Sequence, residues 1–171
     1  DGTGVIRVGT SGNDTIDMST STHTVGAVSQ NMQTIFGVML FGDAGDDIII
    51  GSSRQDIIRG GSGSDTFTLS AGGDALFGET GNDIFHIIDA SLLSGDHGGS
   101  ISGGDGSDTL ILGSNETARG TPFNLAFANI ASIEVLTILQ PFGGGPDIND
   151  ITVIGSSSSF TSLSSITTNG S

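Results

Sequence analysis

Five aspartates, Asp47, Asp56, Asp65, Asp74 and Asp83, follow one another at intervals of nine residues without a slip. Two residues after each stands a large apolar side chain (Ile49, Ile58, Phe67, Leu76, Phe85), and five before each stands Gly42, Gly51, Gly60, Leu69 or Gly78. Aligned on the Asp, the units read GDAGDDIII, GSSRQDIIR, GGSGSDTFT, LSAGGDALF and GETGNDIFH. Two outlying copies, GTSGNDTID at Gly9–Asp17 and GGDGSDTLI at Gly103–Ile111, keep the frame. Carboxylates in glycine-rich turns either accept hydrogen bonds from nearby backbone or hold hard cations such as calcium. An isolated Asx-turn has no need of a nine-residue phase, so the repeat favours a shared cation.

The same phase says what must position these carboxylates. Six Gly-rich residues turn tightly, because Gly tolerates positive φ. The last three alternate out, in, out, as a short strand does, and place one apolar side chain inside. One unit cannot bury that side chain alone, but a stack of units can, which predicts a solenoid. With two units per coil, the loops ending at Asp47, Asp65 and Asp83 form one column and those ending at Asp56 and Asp74 the opposite one. Carboxylates stacked at the strand spacing of about 4.8 Å repel one another unless a cation lies between them. Calcium fits, since it accepts about 6–8 oxygen ligands at ~2.3–2.6 Å in flexible geometry. Backbone carbonyls pointing alternately to the layers above and below would let each loop serve two ions.

Each unit resembles the repeats-in-toxin (RTX) nonapeptide GGxGxDxUx, where U is large and apolar. The match is closest in GGSGSDTFT and GGDGSDTLI; GSSRQDIIR departs at Arg54 and LSAGGDALF at Leu69. The resemblance implies an all-β fold, a parallel β-roll or right-handed β-solenoid with calcium between stacked Gly/Asp loops. It implies ligands from the carboxylates of Asp14, Asp47, Asp65, Asp83 and Asp108. Backbone oxygens would come from Gly9, Ser11, Gly42, Ala44, Gly45, Gly60, Ser62, Gly63, Gly78, Thr80, Gly81, Gly103, Asp105 and Gly106. Asp14 and Asp108 join the column if the intervals before Asp47 and after Asp83 are single coils with insertions, at about 19–33 and 89–100. Five loops leave four gaps, hence about four ions. Asp56 and Asp74 are weaker candidates, because their loops carry Arg54 and Leu69.

Val5–Val8 and Thr34–Phe41 read as strands of the first coils. The expected organisation is a calcium-binding roll over 1–112 and a continuation or cap of the solenoid over 113–171. Phe123–Leu139 is dense in apolar residues, and its Thr, Ile and Val content favours short strands over one helix. Its phrase NIASIEVL resembles a segment that covers the end of nonapeptide blocks in large RTX adhesins and surface-layer proteins. The Ser/Thr-rich Gly155–Ser171 reads as a last coil or a linker.

Composition bounds the function. The chain has 171 residues, 29 Gly, 19 acidic residues, four Arg, no Lys and no Cys, with a formal net charge of −15. Such a surface is a poor partner for nucleic acid and a good one for cations. Disulfides and thiolate metal sites are excluded. No apolar run is long enough to span a bilayer, and no signal peptide is visible ahead of Asp1, which suggests a processed or excised piece. His23, His86 and His97 sit in no HExxH frame, and no GxSxG elbow occurs. His86 is expected on a solvated face, and His97 beside Asp96 in a flexible loop. Glu79 falls in a calcium loop; Glu116 and Glu134 are scattered, and nothing in their spacing makes a catalytic pair.

The reading is a non-enzymatic calcium-binding module of a larger secreted bacterial RTX protein, of adhesin or surface-layer type, at the cell surface or outside it. The resemblance implies one-step (type I) export of an unfolded chain that folds on meeting extracellular calcium. Calcium ions and neighbouring domains are the expected partners, with a cell-surface glycan as a further candidate. The alternative is an accessory roll of a secreted protease, lipase or polysaccharide epimerase whose catalytic domain lies elsewhere. Ice or glycan binding by flat Thr/Ser rows has only the Thr-His-Thr at 22–24 in its favour.

Overall fold

The computed structural model describes residues 5–19, 22–25, 28–31, 37–69, 73–87, 99–113, 123–124, 129–139, 153–154 and 164–168. All elements among them are strands. The chain winds between two parallel sheets. The first contains β1 (Val5–Val8), β5 (Val38–Ala44), β7 (Ile57–Ser62), β9 (Ala75–Thr80), β11 (Ser100–Asp105) and β14 (Asn129–Ala131), in that order. The second contains β2 (Thr15–Asp17), β6 (Ile48–Ile50), β8 (Thr66–Thr68), β10 (Ile84–Ile87), β12 (Thr109–Leu112), β15 (Val135–Ile138) and β17 (Ser165–Thr168). From β5 to β12 successive strands alternate between the sheets, so two nonapeptides make one coil. The fold is an all-β parallel β-roll.

Register follows from the apolar residue two places after each Asp. In one sheet Leu40, Ile58, Leu76, Ile101 and Ile130 lie side by side; in the other Ile16, Ile49, Phe67, Phe85, Leu110, Leu136 and Ile166 do. The repeat strands bury only the middle residue of each triplet, as in β8. Phe67 and Phe85 stack with ring centroids 4.7 Å apart and planes within 5°. Each such side chain contributes about 1.5–3 kcal/mol on leaving water, and only the stacking of coils makes that burial available.

The two ends of each coil differ, and Leu69 shows why. Where the first loop column has Gly9, Gly42, Gly60, Gly78 and Gly103 at the start of its units, the opposite side presents buried Met18, Leu69, Ile87 and Leu112 to the core. Leu69 breaks the Gly pattern because it fills an apolar row. The first column is therefore closed by Gly/Asp loops throughout, while the opposite side combines this apolar row, interrupted at Gly51, with the buried Ser52, Asp56 and Asp74.

Ile16 pairs with Ile49 across the first insertion, inside which β3 (Thr22–Val25) and β4 (Val28–Asn31) form an antiparallel hairpin. Phe85 pairs with Leu110 across the second, which ends before Ser100, the first residue of β11, rather than at it; residues 89–98, with Asp96 and His97, lie outside the described part. Beyond Leu112 the segment NIASIEVL supplies β14 and β15, which extend both sheets, and β17 extends the second again. A further pair, β13 (Phe123–Asn124) and β16 (Val153–Ile154), lies apart from these sheets in hydrogen bonding. Glu116 and most of the tail after Gly155 also lie outside the described residues. Among the described residues, no helix is long and apolar enough to cross a membrane.

Candidate metal centre

Coil stacking brings Asp14, Asp47, Asp65, Asp83 and Asp108 into one ladder. Each amide donates to Oδ1 of the next carboxylate: Asp14 to Asp47 (2.7 Å), Asp47 to Asp65 (2.8 Å), Asp65 to Asp83 (2.8 Å) and Asp83 to Asp108 (2.9 Å). Oδ2 of Asp47, Asp65, Asp83 and Asp108 is buried and receives no hydrogen bond. A buried, half-satisfied carboxylate is costly, and four in a row call for a cation. The opposite column repeats the ladder, with Val38 N–H donating to Asp56 Oδ1 (2.8 Å) and Asp56 N–H to Asp74 Oδ1 (3.0 Å). Oδ2 of Asp74 likewise accepts no hydrogen bond, but residues 70–72 of its loop are outside the described part.

Glycine at the first position is dictated by the carboxylate. A Cβ on Gly42, Gly60, Gly78 or Gly103 would collide with Oδ2 of Asp47, Asp65, Asp83 or Asp108 in the same loop. The carbonyls alternate as the sequence suggests. Those of Asp43 and Gly45 abut Gly61 and Gly63 of the following coil, while that of Gly60 abuts Gly42 of the preceding one. Ser62 O also reaches back, accepting the Gly45 N–H at 2.8 Å, and Thr80 O and Asp105 O accept the Gly63 and Gly81 N–H groups at 2.9 and 2.8 Å. The gaps are thus lined from both sides. The second-position carbonyls of Asp43 and Glu79, outside the first, third and fourth positions that sequence reasoning selected, abut Gly61 and Gly104 of the following coil.

The loops come in two conformations. In those ending at Asp47, Asp65, Asp83 and Asp108, the second residue has left-handed φ (Asp43 80°, Gly61 118°, Glu79 78°, Gly104 114°), and so has the fourth (Gly45, Gly63, Gly81, Gly106). The loops ending at Asp14 and Asp56 have no residue of that kind at either position. There the second residue turns onto its own carboxylate. Thr10 donates its N–H (2.5 Å) and Oγ1 (3.0 Å) to Asp14 Oδ2, and Ser52 donates its N–H to Asp56 Oδ2 (2.6 Å) and its hydroxyl to Oδ1 (2.8 Å). Gly9 and Ser11 belong to such a closed loop, although the sequence groups Asp14 with the regular units.

Two further features were not foreseen. The fifth-position residues form an outer ladder running the other way: Asp46 N–H donates to Asn13 Oδ1 (3.0 Å), Ser64 to Asp46 Oδ1 (2.7 Å), Asn82 to Ser64 Oγ (3.4 Å) and Ser107 to Asn82 Oδ1 (2.9 Å). Asn82→Ala should remove one exposed link and cost about 0.5–1.5 kcal/mol, read as a small drop in calorimetric Tm at saturating calcium. Asn82→Asp, which keeps the acceptor, should drop less; equal losses would refute the ladder's role. At the other end, Asp108 N–H donates to Glu134 Oε2 at 2.8 Å. Ser132, Ile133 and Glu134 stand where the six residues 103–108 lie one coil below, and the longer Glu side chain spans the shortened turn. The signal was Leu136, two residues after Glu134, as after each Asp.

Electrostatics favours a positive charge beside these carboxylates. Burial pushes the Asp65 carboxyl up to about 6 and the Asp83 carboxyl to about 7, with neighbouring carboxylates adding to it against the ladder hydrogen bonds. Asp47 and Asp108 are raised for the same first reason. Asp56 is raised by burial against bonds from Val38 and Ser52. Among the described residues no three His, Cys, Asp or Glu side chains converge on one point. The donor set in each gap is therefore mostly carbonyl oxygen with carboxylate, which suits calcium rather than a transition metal. His86 projects from β10 with Nε2 2.9 Å from Gly113 O, so it is tied to the backbone rather than simply solvated. Glu79 carries the ion pair to Arg59 (2.7 Å), whose guanidinium lies over Phe77.

A parallel roll whose gaps are lined by alternating carbonyls and buried carboxylates defines a calcium-binding repeat module. The RTX calcium-binding nonapeptide repeat matches this chain in four copies, over residues 41–76, 50–85 and 97–116, so these stretches carry that repeat. Comparison with curated proteins and with solved structures gave no match.

Proposed function

We propose that the chain is a structural module of a larger secreted bacterial protein, of adhesin or surface-layer type, that folds when it meets extracellular calcium. The observation that carries this reading is the row of buried Oδ2 atoms on Asp47, Asp65, Asp83 and Asp108, each without a hydrogen bond. Carboxylates and carbonyls of the first column would hold the ions, the fixed positive charge replacing solvent that burial has removed. With a net charge of −15 opposing compaction, ion binding and folding become one equilibrium. The absence of Cys suits a chain held by ions instead of disulfides. NIASIEVL, which extends both sheets past the nonapeptides, supports the adhesin or surface-layer type. Far-UV circular dichroism during calcium titration tests the extracellular assignment. A cooperative rise of β signal with a midpoint of about 0.1–1 mM, the range of extracellular calcium modules, is expected. A midpoint at or below about 1 μM would overturn it, because the chain would then fold before leaving the cell.

A further inference from the structure

We propose that a second-position hydroxyl closed onto its own Asp, as Thr10 is on Asp14 and Ser52 on Asp56, keeps that loop from taking an ion, and that Thr10 so limits the first column to three ions. The inference rests on the calcium reading and refines it. Fourth-position glycine does not decide the matter: Gly12 occupies that place in the Asp14 loop, yet it lacks the left-handed φ found at Gly45, Gly63, Gly81 and Gly106. What the two closed loops share is a hydroxyl residue at position two. The bonds correspond in both, except that the Thr10 hydroxyl reaches Oδ2 of its Asp and the Ser52 hydroxyl Oδ1. The second-residue amide and hydroxyl reach the carboxylate, and the hydroxyl in turn accepts the fourth-residue amide, Gly12 N–H to Thr10 Oγ1 at 3.3 Å and Arg54 N–H to Ser52 Oγ at 3.2 Å. Arg54 is tolerated where Gly is usual because this closed turn needs no left-handed residue there.

Closure also uses up groups an ion would need. Thr10 O accepts the Ala44 N–H (3.3 Å), in place of the fourth-to-third-position bond seen between the open coils. By contrast Asp43 and Glu79 hold left-handed φ despite having a Cβ, a conformation that costs non-glycine residues energy, and their loops stay open. Open loops face one another across three gaps, between Asp47, Asp65, Asp83 and Asp108. In the fourth, the upper half is already built, since Asp47 Oδ2 is buried there without a hydrogen bond; only the Asp14 loop below it is shut.

Ions per chain, counted by native mass spectrometry and equilibrium dialysis at saturating calcium, test this. The expected counts are three for the natural chain and four for Thr10→Gly. Asp43 accepts a Cβ already, so Asp43→Ser introduces a closing hydroxyl without a clash and should give two. Asp43→Asn removes the same charge but tolerates left-handed φ, and should keep three. An unchanged count in Thr10→Gly, or equal counts in Asp43→Ser and Asp43→Asn, would overturn the proposal while leaving calcium binding intact. A natural chain that binds no calcium would overturn the calcium reading itself.

Discussion

Stripped of calcium at pH 7.5, the chain is expected to lose its parallel sheets, and to regain part of them at pH 5 without any metal. Both halves follow from the same carboxylates. Asp65 and Asp83 are raised by burial from an ordinary 3.8 to about 6 and about 7. A group whose pKa is higher folded than unfolded contributes stability below its unfolded value and loses it as the pH climbs through its folded value. The ion-free roll is thus supported fully below about pH 4 and partly at pH 5, and it loses the last of that support as the pH passes about 6 for Asp65 and about 7 for Asp83. At neutral pH the two groups together oppose the ion-free fold by several kcal/mol, on the order of the whole stability of ~5–15 kcal/mol of a small domain. Calcium reverses this by holding the charged form. Circular dichroism in chelator at the two pH values, then with calcium or magnesium added, checks it. Magnesium should restore little, because it keeps its waters and demands octahedral geometry. A β spectrum at pH 7.5 indifferent to chelator would defeat both the prediction and the function built on it.

Asp65→Ala is expected to raise the calcium midpoint more than any other ladder substitution. Asp65 sits mid-column, its Oδ1 taking the Asp47 amide and its own amide reaching Asp83, with an open loop on either side. Removing it weakens the gap it occupies and leaves a buried amide unanswered, a loss of about 1–3 kcal/mol before any ion is counted. Asp14→Ala at the closed end should shift the midpoint least. Asp56→Ala should behave differently in kind. Its carboxylate takes bonds from the Ser52 amide and hydroxyl and the Val38 amide, so its loss should lower Tm even at saturating calcium while moving the midpoint little. Titration and thermal melting of the three variants separate these outcomes. If Asp56→Ala shifts the calcium midpoint as far as Asp65→Ala, the division between ion-holding and self-satisfied loops is wrong.

Much of this roll can be read from phase alone. Residue i and residue i+18 must stack once nine residues make half a coil, and that places Asp47 under Asp65 and Leu40 beside Ile58 before any coordinates exist. Phase carries further across the insertions, because Asp14 and Asp108 keep the frame of their own units. It fails where the deciding bond is local and chemical. GTSGND and GETGND differ by little as strings, yet Thr10 shuts one loop and Glu79 leaves the other open, since a γ-hydroxyl on a short stem folds back onto its carboxylate. Leu69 looked like a damaged repeat because its role, filling the apolar end, belongs to neighbouring coils. Glu134 was passed over because a three-residue turn with a longer acid does the work of a six-residue turn with a shorter one, and only Leu136, two residues on, keeps the frame of the repeat.

The inner ladder also has a direction. Every aspartate amide in it is answered by the carboxylate of the coil that comes later in the chain, and the last, that of Asp108, by Glu134. The outer ladder points the opposite way, but it is exposed, and water serves its amides equally well. Growth of the roll from the Glu134 end therefore adds each new coil onto an acceptor already in place, whereas growth from Asp14 leaves a buried donor waiting at every step. Assembly should run as a zipper closing from the C-terminal side towards the N-terminal one, with Glu134 as its first tooth.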